Sequence, residues 1–138
     1  MWSYSRYTTN IAFQTPWNER GDGFYRKFYV EILRDLEDLF KAYNSGSLPN
    51  SLAVVKTWKA FTYYQLLSLY GPVGLSQAGM DGGTDKRVFE YDSEADAYYA
   101  ILNWLDEAVN GFDESSVDKI LKDPVYNGNV QKWRKLAN

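Results

Sequence analysis

Trp58-Lys59-Ala60-Phe61-Thr62-Tyr63-Tyr64-Gln65-Leu66-Leu67-Ser68-Leu69-Tyr70-Gly71-Pro72-Val73 is an aromatic, apolar run closed by a Gly-Pro turn, and its reading decides the fold. From Ala60 to Tyr70 apolar or aromatic residues fall on nearly every side, the pattern of a helix buried by neighbours on more than one flank. The preceding segment, Leu52 to Lys59, is amphipathic, and Pro49-Asn50-Ser51 supplies an N-terminal start. One helix is therefore expected from 49 to 70, central to its domain.

Working outward, Tyr25, Tyr29, Ile32, Leu36, Leu39 and Tyr43 recur at alternating spacings of four and three, which predicts a helix over 24–43 with those residues inward. Asp22 is placed to cap it. Asn44-Ser45-Gly46 is expected to stop it, with glycine taking the left-handed conformation. A third helix is predicted from Asp92 or Ser93 to Phe112. Its main stripe is Ala95, Tyr98, Leu102, Leu105, Val109 and Phe112, widened by Ala97, Ile101, Trp104 and Ala108. A fourth begins near Asn129, after Asn127-Gly128, with Val130, Trp133 and Ala137 on one side. It meets no terminator before Asn138, so the expectation is an N-terminal piece of a longer protein whose further part covers that apolar face. No strand-like alternation is present, and long helices in antiparallel hairpins predict an all-α, tetratricopeptide-like scaffold. Residues 1–23 lack a stable period and read as an irregular arm lying on the helical region 24–138.

Composition narrows the chemistry. In 138 residues, 45% hydrophobic and 24% charged, there is enough apolar material for one globular core. A formal net charge of -3 argues against a nucleic-acid surface, and the basic cluster Lys132, Arg134 and Lys135 reads as a solvated helix face. The chain contains no cysteine and no histidine, which removes disulfides, a thiol nucleophile and the usual zinc ligand sets. Asp81, Asp85 and Glu90 lack the spacing of a calcium loop, so no metal or cofactor is expected. No apolar run reaches the roughly 18–20 residues needed to cross a bilayer. Met1-Trp2-Ser3-Tyr4-Ser5-Arg6 does not read as a signal peptide, so any export signal is expected upstream.

Three landmarks in order resemble the SusD/RagB family of outer-membrane nutrient-binding lipoproteins. They are the helix and turn quoted above; Tyr91-Asp92-Ser93-Glu94-Ala95-Asp96-Ala97-Tyr98 with Leu105-Asp106-Glu107-Ala108; and Tyr126-Asn127-Gly128-Asn129 with Lys132-Trp133-Arg134-Lys135-Leu136-Ala137-Asn138. Lys59-Ala60 stands where the family often has Arg-Ala, and Gly71-Pro72-Val73-Gly74 displaces the usual Asp and Pro. The resemblance implies a helical-pair scaffold, not an enzyme. It further implies anchoring at the outer membrane by a lipid outside this chain, glycan capture at the cell surface, and partnership with a SusC-like TonB-dependent transporter.

Sugars present CH patches and hydroxyl groups, so their receptors combine flat rings with planar polar groups. Trp2, Tyr4, Trp17 and Asn18 in the arm, and Gln77 and Asp81 in the 71–87 loop, are the candidate ligand contacts on that ground, with Trp17 foremost. Packing of the arm's rings onto the helices is the competing role. Trp58, Trp104 and Trp133 fall on apolar helix faces and are expected in the core. Asp92 and Glu94 are a conceivable glycosidase pair, but carboxylates at a helix start serve free N–H groups and the helix dipole. A tetratricopeptide-type module that binds a peptide is the alternative function.

Overall fold

The computed structural model describes residues 23, 25–76, 90–120 and 122–138. Helix α1 has a π-helical first part, Phe28–Leu33, that runs directly into the α-helical Arg34–Ser45. Helix α2 is Pro49–Tyr70, α3 is Glu94–Gly111 and α4 is Val130–Ala137. Among the described residues the only β feature is an isolated antiparallel bridge between Val73 and Asp92. The chain is all-α and built from helix pairs, as its periodicity predicts. The expected cap Asp22 and the first predicted helical residue, Phe24, lie outside the described residues.

Helix α2 is the centre, antiparallel to both α1 and α3. Lys59 pairs with Glu37 and Tyr63 meets Tyr29 on α1, while on α3 Lys56 pairs with Glu107 and Tyr63 meets Trp104. Two core clusters follow. Leu33, Ala60, Tyr63, Leu66, Val73, Ala97 and Ile101 fill the α1–α2–α3 junction; Ala53, Ala108, Phe112, Trp133 and Ala137 seat α4 against α2 and α3. The small residues Ala53, Ala60, Ala97 and Ala108, each at most 2% exposed, let the helices approach closely.

The start of α2 is fixed from a distance. Asp118 accepts from the Ser51 N–H at 2.7 Å and from the Ser51 hydroxyl at 2.9 Å, serving helix-start groups that Leu48 leaves unserved. The buried Asn50 amide donates to the carbonyls of Asp113 and Asp118 and accepts from the Asp113 N–H. These bonds fasten the segment after α3 to the beginning of α2.

Four sequence expectations are corrected. In α1, Leu33 is buried whereas Ile32 and Leu39 are exposed: the wide π turn inserts an extra residue and rotates the inward stripe. Gly46 closes that helix at φ -80°, and Ser47, not the glycine, takes the left-handed value at φ 52°. In α3, Ala97, Ile101 and Ala108 are the buried row, while Ala95, Tyr98 and Leu102 of the expected main stripe face outward. Finally, Phe61, Tyr64 and Leu69 of α2 are about half exposed and Trp58 is 39% exposed, so burial of α2 is not all-round; Trp133 is in the core as expected and Trp104 is half-buried.

Candidate functional site

The six contacts expected from sequence, Trp2, Tyr4, Trp17, Asn18, Gln77 and Asp81, lie outside the described residues. The root of the 71–92 loop is described. Gly71 caps α2 at φ 75°, a backbone region open to glycine, and a β-carbon there would stand 3.0 Å from Glu94 Oε1. Asp92 donates its N–H to the Val73 carbonyl at 2.9 Å, and its carboxylate accepts from the N–H groups of Leu75 and Ser76 at 2.7 and 2.8 Å. Burial works to raise the Asp92 carboxyl, but the bonds from Ser76 and Leu75 outweigh it and hold the group below the usual carboxylate range. Tyr29 donates to the Gly74 carbonyl at 2.8 Å from beneath. Its own phenol is pushed up to about 12, chiefly by burial, so it stays a neutral donor.

This arrangement also settles the roles of the carboxylates at the start of α3. Ser93 is the cap, its hydroxyl accepting from the Asp96 N–H at 3.1 Å, and Asp92 serves the loop rather than the helix. The Asp92 carboxylate is thus committed to the loop's N–H groups.

Of the cavities among the described residues, one of about 510 Å³ lies between α1, the start of α2 and residues 117–120, and two others lie on the outer faces of α2 and α3. The first of these two is a groove of about 460 Å³ on the side of α2 away from α1, lined by Trp58, Phe61, Tyr64, Tyr98, Leu102 and Leu136 among others. On α2, Lys59 and Tyr63 face α1, while Phe61, about 200° from each, points the opposite way and Tyr64, about 100° on from Tyr63, turns to the same groove. Helix α4 covers this side only at one end, through Trp133 against Trp58 at 6.2 Å between ring centroids. The Thr57 hydroxyl at its wall is already donated to the Ala53 carbonyl. The groove accepts apolar side chains and offers little to a sugar hydroxyl.

The second feature is a shallow depression of about 340 Å³ lined by Leu67, Glu94, Ala95, Tyr98 and Tyr99. Tyr98 is 48% and Tyr99 67% exposed, and Tyr98 forms the ridge shared with the groove. It brings together rings, hydroxyls and a carboxylate. The sequence reading missed these tyrosines because it counted Tyr98 as core and left Tyr99 unassigned; two adjacent rings on a helix are the available signal, since 100° of rotation cannot bury both against one neighbour.

Among the described residues there is no cluster of metal-ligating side chains and no helix long and apolar enough to cross a membrane. The architecture is that of a binding scaffold: stacked helix pairs presenting rings on an outer face. A family profile, SusD-like_2, described as "Starch-binding associating with outer membrane", matches residues 1–138, the whole chain. The chain belongs to this SusD-like family and is a non-catalytic binding protein associated at family level with starch and the outer membrane. No curated protein and no solved structure matches it.

Proposed function

We propose that this chain takes part in glycan capture at the bacterial cell surface. In this reading it belongs to a lipid-anchored SusD-like protein that hands oligosaccharide to a SusC-like TonB-dependent transporter. The observation that carries the proposal is the family match along all 138 residues. The outward tyrosines of α3 support it, because ring faces open to solvent suit sugar CH patches. Trp2, Tyr4, Trp17, Asn18, Gln77 and Asp81 are retained as proposed ligand contacts. Affinity electrophoresis through gels containing plant, host and microbial polysaccharides tests the reading: retardation by at least one polymer is expected, and free migration in all of them would overturn it.

The open groove along Trp58, Phe61 and Leu102 favours a second reading, a tetratricopeptide-type module that takes an amphipathic peptide. That module would bind peptide saturably and show no sugar affinity.

A further inference from the structure

We propose that Tyr98, Tyr99 and Glu94 form a contact surface for a neutral glycan, one that disfavours uronic or sulfated chains. The inference rests on the glycan-capture reading and deepens it by placing a contact and restricting the ligand class.

The rings are where packing cannot explain them. At about 100° per residue, Ala97 and Ile101 point to the core while Ala95, Tyr98, Tyr99 and Leu102 point away, and the exposures agree. Burying a large side chain is ordinarily favourable by about 1.5–3 kcal/mol, so neighbouring rings left open on one surface are informative. Their composition differs from that of the groove. The groove adds Phe61, Leu102, Val125 and Leu136 to its tyrosines, whereas the depression joins its rings to the exposed carboxylate of Glu94.

A pyranose has two needs that this surface meets. Its CH-rich face lies flat on a phenol ring, and its hydroxyl groups require acceptors and donors at the edge. The Glu94 carboxylate accepts, and makes no hydrogen bond or ion pair with any other described residue; each tyrosine hydroxyl can donate or accept. The volume falls within the roughly 300–1,000 Å³ of small-ligand sites. Selectivity follows from charge. Among the described residues no lysine or arginine lines the depression, and Glu94 and Asp96 share the first turn of α3, so an anionic sugar meets like charge there.

The test uses the full 138-residue chain with soluble starch, a neutral β-glucan and polygalacturonate as probes, read by affinity electrophoresis and titration calorimetry. Wild type should bind at least one neutral polymer and not polygalacturonate. Tyr99→Ala and Tyr98→Ala should each weaken neutral binding about three- to tenfold, the value of one aromatic contact. Glu94→Gln should raise polygalacturonate binding relative to neutral polymer. Because the side chains are exposed, circular dichroism melts of the variants should match wild type. Neutral binding unaffected by both tyrosine substitutions would overturn this surface and leave glycan capture standing. Equal wild-type binding of polygalacturonate would overturn the neutral preference. No binding to any polymer would remove both.

Discussion

At the scale of single residues, Asp123 gathers four hydrogen bonds on one carboxylate. Its carboxylate accepts from the Trp133 indole at 2.6 Å and from the N–H groups of Val125, Tyr126 and Gly128 at 2.9, 3.2 and 3.0 Å. The Lys-Trp element that resembles the family therefore has a physical reason: the buried Trp133 ring needs a partner for its polar edge, and Asp123 supplies it while shaping the turn that starts α4. Asp123→Asn should cost about 1–3 kcal/mol in denaturant unfolding, since the donors remain while the charged acceptor is lost. Burial works to raise the Asp123 carboxyl, but the hydrogen bonds prevail and hold it low, as they do at Asp92. A depressed carboxyl contributes stability above its unfolded pKa of about 3.9, and that stability is lost as pH falls through the folded value. Wild type should therefore lose stability below about pH 4, and Asp123→Asn should flatten that acid limb in melts taken between pH 3 and 7. Trp133 was legible as core from its helical spacing. Asp123 was not, because its partner lies ten residues on and no periodicity connects them.

At the scale of elements, the helices were legible and their facing only in part. Pro49 and Tyr70 bound α2 as the sequence reads, and Ser93 and Asn129 cap α3 and α4 at the expected starts. The missed facings have two causes. A π turn in α1 shifts the stripe from Ile32 to Leu33, and spacing alone does not announce it. In α3 both stripes are apolar, so the sequence left no way to rank Ala97 and Ile101 above Tyr98 and Leu102; contact with α2 decides. Paired substitutions check this directly: Ile101→Ala should cost about 2–5 kcal/mol, while Leu102→Ala should stay within about 0.5 kcal/mol. Between α1 and α2, Lys59 is held by Glu37 at 2.8 Å and lies over the Trp104 ring at 4.7 Å, with both charged side chains largely covered. Lys59→Ala should lose about 1–3 kcal/mol by leaving Glu37 unpaired, and Lys59→Met combined with Glu37→Gln should recover most of it, as thermal melts of the set would show.

For the whole molecule, the proposed function rests on the contrast between two of its outer features. One side of α2 packs against α1; the other is covered by α4 only at its end and leaves an apolar groove beside a polar, tyrosine-lined depression. The fold class and family were legible because they depend on helix spacing and on landmarks in order along the chain. The six candidate contacts were chosen by loop context and fall outside the described residues, while Tyr98 and Tyr99 become a surface only once α3 has chosen its buried face. The central claim is that a helical, non-catalytic scaffold binds neutral glycan. A ligand that binds only the folded chain raises its stability in proportion to the logarithm of ligand excess, about 2.7 kcal/mol at a hundredfold excess over Kd. Thermal melting of the 138-residue chain with soluble starch, a neutral β-glucan, polygalacturonate or an amphipathic helical peptide measures this in one format. The account predicts a melting temperature that rises with a neutral glycan and stays unchanged with polygalacturonate and peptide; a rise with peptide and none with any glycan would contradict it.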